Sequence, residues 1–314
     1  MNSEIIKEII KLKQQKNAVL LAHYYQIAEI QDIADYIGDS LNLAQAAQAT
    51  NADLILFCGV HFMGETAKIL NPSKKVIIPD LNAGCSLADS CPYDDFKAFR
   101  DAHPEHLVIS YINCSAQIKT LSDIICTSGN ALQLVNSLPQ EQKIIFAPDR
   151  NLGGYLNRIT GRNMLLWEGT CEVHELLTAE QTLKLKLQYK DYKLIAHPEC
   201  NASVLELATF IGSTQAMIKY VKQSSDKKFL VATESGIVHQ LKKDNPNKDF
   251  IVVTTDETCA CNDCQYMKLN TLEKVLHSLQ TEEYEIILNE DLIEKAKQPI
   301  VRMLEMSRSL GLIK

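Results

Sequence analysis

Three cysteines fall within six positions in the stretch 258–268, TCACNDCQYMK, and thiols at that density point to a metal. Cys259, Cys261 and Cys264 are one ligand short of a closed tetrahedral zinc site, and no second CxxC pair exists elsewhere in the chain. A second set of reactive side chains stands at the ends of three apolar runs. His23 and Tyr25 close AVLLAHYYQ, Tyr111 and Asn113 close LVISYINCS, and His197 and Glu199 close KLIAHPECN. Imidazole, phenol, amide and carboxylate groups gathered in one place can bind polar substrates and move protons.

The elements that must position these residues recur three times. Each run is followed by a small, polar helix start, GDSLNLAQAA, TSGNALQLV or GSTQAMIKYV. A second strand comes next in ADLILFCGV, KIIFAPDRN and KFLVATESG, and a third in KVIIPDLNAGC, NMLLWEGTC and DFIVVTTDETC. Strands alternating with helices imply βαβ units and parallel sheets. The distances from Ser40 to Cys85, Ser128 to Cys171 and Ser213 to Cys264 are 45, 43 and 51 positions. The pattern predicts three similar small three-layer α/β domains of one design, each ending in a cysteine, in a pseudo-threefold arrangement around a central site. Their expected bounds are 1–100, 101–188 and 189–274, with a helical segment at 275–314 packing on the first together with the N-terminal helix. In open parallel sheets, ligands bind beyond the carboxyl ends of the strands, so the polar tips should converge. Asp39–Ser40, Ser128–Gly129 and Ser213–Thr214 then offer helix starts suited to anions, with ordinary N-capping as the alternative reading.

Composition narrows the class. A chain of 314 residues that is 46% hydrophobic, with 12 Gly, 9 Pro and one Trp, reads as an α/β protein with a large core. A net charge of -7 without a basic cluster argues against nucleic acid as the partner. The N-terminal stretch lacks the continuous apolar region of an export signal, and no apolar run approaches a membrane span. Ten cysteines in such a chain fit the reducing cytoplasm, where thiols serve packing, metal or redox chemistry. Cys58, Cys91 and Cys126 read as core, and Cys114 and Cys200 as shaping a pocket.

The choice among the clustered cysteines rests on two criteria that disagree. Cys85, Cys171 and Cys264 each precede a segment that reads as helical, where the helix dipole and free N–H groups favour a thiolate. Repeat spacing slightly favours Cys259. The helix-start criterion selects Cys264.

The series AHYYQ, GDSL, AGCSLAD, YIN, TSGNA, APDRNLGGYL, EGTCEVHE, HPEC, GST, ATESGIVH and the Cys-x-Tyr-Met-Lys of CQYMKLNT resembles quinolinate synthase, in order and over nearly the whole chain. The resemblance implies a [4Fe–4S] cluster held by one cysteine per domain, here Cys85, Cys171 and Cys264, with one iron left open as a Lewis acid. It implies condensation of iminoaspartate with dihydroxyacetone phosphate to quinolinate, phosphate and two waters, in NAD biosynthesis, and a transient contact with an aspartate oxidase. His23, Asp39, Ser40, Tyr111, Asn113, Ser128, His197, Glu199 and Thr214 are implied to contact substrate, with Tyr25 and Ser213 close by. Glu199 is the expected general base, its pKa raised by shielding from water, and Tyr25, Tyr111 and His197 are expected to share the acid–base work. His174 is expected to orient or cap rather than ligate, and Met63 to form a pocket wall. The CxCxxC spacing at 259–264 departs from the CxxCxxC stretch of some family members.

Two rival readings use the same thiols. A non-enzymatic iron–sulfur redox sensor would need no polar set at the three strand tips. A zinc hydrolase would use Cys259, Cys261 and Cys264 with a distant His.

Overall fold

The apolar runs at 18, 107 and 193 become the inner strands of three separate sheets. A computed structural model of the chain describes residues 2–254 and 262–313. The first sheet holds β1 (Ala18–His23), β2 (Tyr36–Gly38), β3 (Leu54–Cys58) and β4 (Lys75–Ile77), in the order β2-β1-β3-β4. The second holds β5 (Leu107–Tyr111), β6 (Ile124–Cys126), β7 (Ile144–Ala147) and β8 (Leu165–Leu166), in the order β6-β5-β7-β8. The third holds β9 (Lys193–Ala196), β10 (Phe210–Ile211), β11 (Lys228–Ala232) and β12 (Asp249–Val252), in the order β10-β9-β11-β12. Every pairing within these sheets is parallel. The α/β architecture of three like units is therefore the one the repeat implied. Each sheet carries one strand more than the sequence reading counted, a two- or three-residue edge strand just before the polar helix start.

Alternation along each inner strand explains the layers, since successive side chains point to opposite faces. In β1, Leu20 and Ala22 pack with Ile9, Ile30, Leu272 and Val275, while Val19 and Leu21 pack with Leu43, Ala47 and Ile69 on the other face. In β9, Leu194 and Ala196 meet Val204 and Leu205, and Ile195 meets Met217 and Val221. Helices thus cover both faces of these sheets.

The last helices divide between units. Leu272–Thr281 lies against the N-terminal helix Asn2–Gln15, as the sequence suggested. Glu290–Ser309, expected on the first unit, packs mainly against Ala116–Thr120 and β6 of the second and also touches His61–Leu70 of the first. Its Ala296, Ile300, Met303 and Leu304 join one apolar core that runs through both units. Residues 284–286 pair with β4 in antiparallel fashion and cover that sheet edge.

Candidate active site

The three sheets point their carboxyl ends at one cavity of about 280 Å³. Each first strand delivers two functional side chains two positions apart, which places both on one side of the chain as it leaves the sheet. These pairs are His23 and Tyr25 after β1, Tyr111 and Asn113 after β5, and His197 and Glu199 after β9, and all six line the cavity.

Backbone contacts fix the two imidazoles. His23 Nδ1 accepts the N–H of Tyr25 at 3.1 Å, and His197 Nδ1 accepts the N–H of Glu199 at 3.4 Å. In His23 this leaves the ring proton on Nε2, whereas His197 Nδ1 also faces the Glu199 carboxylate at 3.3 Å and its Nε2 sits 3.2 Å from Ser128 Oγ. Burial lowers both rings: it lowers His197 against the pull of the Glu199 carboxylate, and takes His23, helped by the neighbouring His197, down to about 3.

Glu199 is the centre of the polar set. Its Oε2 lies 2.8 Å from His174 Nδ1 and 3.3 Å from His197 Nδ1, while its Oε1 is buried with no protein partner. Burial pushes the carboxyl up, but His197 and His174 outweigh it and hold Glu199 well below the usual carboxylate range. The expectation of a raised pKa is thereby corrected: shielding from water is present, and two adjacent imidazoles win over it. With the His174 Nδ1–H donating to Glu199, its Nε2 accepts from the Thr233 hydroxyl at 2.8 Å, and Thr233 Oγ1 accepts from the Tyr25 hydroxyl at 2.8 Å. A continuous chain of hydrogen bonds, Tyr25–Thr233–His174–Glu199, crosses the site. Tyr25 and Tyr111 are both raised well above the ordinary phenol range, by burial first and then by the Glu199 charge, so both keep their protons.

The polar helix starts differ from one another. Asp39 caps Ser40–Ala49, its carboxylate accepting the N–H of Asn42, and Ser213 caps Thr214–Gln223, accepting the N–H of Ala216. In the second unit the helix begins only at Ala131, so Ser128 and Gly129 sit in a turn held by Thr127 and Asn130. Asp39, Ser40, Ser128 and Thr214 line the cavity. Ser213 is not among the lining residues, and besides its cap its hydroxyl serves Asp39.

The cysteines sort themselves by exposure. Cys58, Cys91, Cys114, Cys126 and Cys200 are buried, whereas Cys85, Cys171 and Cys264 are partly open, and only these three described thiols line the cavity. Cys85 and Cys171 stand at the positions just before Ser86–Asp89 and Glu172–Glu175, without a side-chain cap bond. Cys264 precedes a single 3-10 turn, Met267–Leu269, and not the long helix, which starts at Leu272. Burial pushes Cys85 up to about 12 and Cys264 up to about 11, with nearby backbone N–H groups (Ala88 and Leu87; Met267 and Tyr266) pulling partway back. Cys171 is raised well above the usual thiol range, by burial first and then by the Glu199 charge. The helix-start effect is real but smaller than burial, so thiolates here need a cation to hold them. Cys259 and Cys261 lie outside the described residues.

A soft metal group suits this donor set, three open thiols brought to one cavity. A second grouping, Cys171, His174 and Glu199, has its ligand atoms within 4.8 Å of one another. Its internal contacts of 2.8 and 3.2 Å are hydrogen-bond distances, and His174 has both ring nitrogens engaged, so it reads as part of the hydrogen-bond chain.

The family model described as Quinolinate synthetase A protein matches residues 7–305. The chain belongs to the quinolinate synthase family. Family relatives so named include one from Nostoc punctiforme, 57% identical over 304 residues that cover 97% of this chain and 94% of the relative. One from Synechocystis is 57% identical over 304 residues, covering 97% and 96%. One from Chloroherpeton thalassium is 56% identical over 306 residues, covering 97% and 95%. As a member of this enzyme family the chain is an enzyme, and among its described residues no helix is long and apolar enough to cross a membrane.

Met63 is a wall of the cavity, as the sequence suggested. Sequence reasoning missed Thr233, Glu234 and Lys268. Glu234 is buried, accepts the N–H groups of Cys264 and Gly236, and pairs with Lys268 Nζ at 2.7 Å. Lys268 in turn donates to the Tyr25 carbonyl at 2.7 Å, tying the Cys264 turn to the first unit. The signal was available: Thr233 and Glu234 end the apolar run KFLVA as His23 ends AVLLA.

Proposed function

We propose that this enzyme makes quinolinate for NAD biosynthesis in the cytoplasm, condensing iminoaspartate with dihydroxyacetone phosphate and releasing phosphate and two waters. Iminoaspartate supplied by an aspartate oxidase belongs to the same reading. The observation that carries it is the convergence, on one cavity, of three partly open thiols and three pairs of polar strand-tip side chains.

Cys85, Cys171 and Cys264 would hold a [4Fe–4S] cluster, which when bound supplies a Lewis acid at the iron that lacks a protein thiolate. The chain's own residues do the rest. Ser40, Ser128 and Thr214, with the backbone N–H groups around them, receive the two carboxylates and the phosphate, and Asp39 and Ser213 hold two of those helix starts in place. His23 stays neutral and offers Nε2–H to substrate oxygen, and His197 presents Nε2 beside Ser128. Glu199, ionised and with Oε1 free, takes protons from substrate carbon. Tyr25 and Tyr111, protonated, give protons to developing oxyanions, and the Thr233–His174 link lets a proton pass between Tyr25 and Glu199. Asn113, whose Oδ1 is buried without a protein partner, can orient a substrate N–H or O–H.

Anaerobically purified protein should be brown, with about four iron and four sulfide per chain. Cys85→Ala, Cys171→Ala and Cys264→Ala should each lose the iron and the activity. Colourless, fully active protein would end this reading, and zinc without sulfide would favour the zinc hydrolase instead.

A further inference from the structure

We propose that Gln31 and Lys119 are positioning residues, one in each of the first two units, that fix Tyr25 and Asn113 by gripping the backbone on both sides of them. The proposal rests on the reading of Tyr25 and Asn113 as site residues.

Lys119 is fully buried, and its ammonium donates to the carbonyl oxygens of Ile112, at 3.2 Å, and Cys114. Those two carbonyls flank Asn113. Gln31 is 1% exposed, and the two protons of its Nε2 are shared among three carbonyl oxygens, those of Tyr24 at 2.9 Å and Gln26 at 2.8 Å, which flank Tyr25, and that of Gly236 at 3.0 Å. Each donor stands six positions after the residue it straddles, on the short helix that follows the first strand of its unit, Ala28–Ile33 or Ala116–Thr120. Two units have arrived at one geometry with different side chains.

Packing alone does not explain these residues. The corresponding position of the third unit, six after Glu199, is Leu205, buried and without a donor. There the carboxylate is oriented directly by His174 and His197, and Asn151 Nδ2 holds the Glu199 carbonyl at 3.1 Å. A leucine therefore satisfies the packing. An ammonium in the same environment is costly unless its contacts matter, and among the described residues Lys119 has no carboxylate within ion-pair distance, only carbonyls and the Phe62 ring at 5.6 Å. Holding the carbonyls before and after a residue fixes the peptide planes on either side, and so the direction of the side chain between them. Asn113, with Oδ1 unpartnered, has little else to orient it.

Lys119→Met and Gln31→Met retain length and apolar bulk while removing the donors. Quinolinate formation is measured for each well below its melting temperature, with iron content assayed alongside. Lys119→Met should raise KM about fivefold with kcat little changed, and Gln31→Met should lower kcat about tenfold, because one acts through a binding group and the other through a proton donor. Iron content should stay at the parent level in both. Lys119→Gln, which restores N–H donors on a shorter arm, should recover part of the KM, and Lys119→Met should add nothing to the KM of Asn113→Ala. Asn113→Ala and Tyr25→Phe serve as controls: parent kinetics in those two would sink the site reading itself. If they are impaired while the methionine variants are not, the positioning role is wrong. A lowered rate at unchanged KM in Lys119→Met, or failure of both methionine variants to fold, would make the bonds a requirement of the fold and would equally overturn the proposal.

Discussion

Glu199 shows how far a single residue can be read before its neighbours are known. Its place at a strand tip, two positions from His197, was legible because both side chains must leave the sheet on one side. Its ionisation was not, because His174 stands 25 positions earlier and only the fold brings its Nδ1 to 2.8 Å. An ionised, half-partnered carboxylate is poised to accept a proton without first losing one. Glu199→Gln preserves shape and the possibility of a hydrogen bond from His174 but removes the base. Turnover should fall by ~10²–10⁴-fold, with iron content and substrate binding retained. Near-parent turnover would move the base elsewhere, and the hydrogen-bond chain makes Tyr25 the next candidate.

Among the elements, three strands of each unit announced themselves as apolar runs, whereas β2, β6 and β10, edge strands of two or three residues, were too short to show a period. Helix starts with a side-chain cap, Asp39 and Ser213, fell where the sequence put them. The second unit slipped because Thr127 and Asn130 bond each other and delay the helix. The choice of cysteine also belongs to this scale. Spacing slightly favoured Cys259 and a following helix favoured Cys264. The structure has only a 3-10 turn after Cys264, yet its thiol lines the cavity with Cys85 and Cys171, and Glu234 and Lys268 hold its turn. The double variant Cys259→Ser with Cys261→Ser should therefore keep its full iron content and most of its activity under reducing conditions. It should differ from the parent only under oxidants, where a disulfide to Cys264 could otherwise remove a ligand. Iron lost in the double variant but kept in Cys264→Ala would reassign the ligand.

At the scale of the whole molecule, the repeat announced three units with their tips together, but not how they would be joined. One apolar core runs through the first two units and the helix Glu290–Ser309, while the third unit has separate cores, one of which takes in Tyr24 of the first. Contacts across to the third unit include polar ones: Tyr24 hydroxyl to Gln215, Gln31 Nε2 to the Gly236 carbonyl, Asp32 to His239 and Lys243, and Ser128 to His197. The helix that joins the first two units was not placeable from sequence, since its apolar stripe fits any core. A ligand with two carboxylates should bridge this polar seam, because the anion-suited helix starts and turn come from all three sheets. Quinolinate added to the intact protein should therefore slow amide hydrogen exchange at three separate places together: residues 40–43, 127–131 and 213–217. A hundredfold excess over its Kd would add ~2.7 kcal/mol to the stability of whatever it closes, a slowing that mass spectrometry resolves readily. The comparison is made against an equal concentration of a monocarboxylate, which can satisfy only one helix start. Protection confined to one sheet would mean that the three tips share a cavity without sharing a ligand.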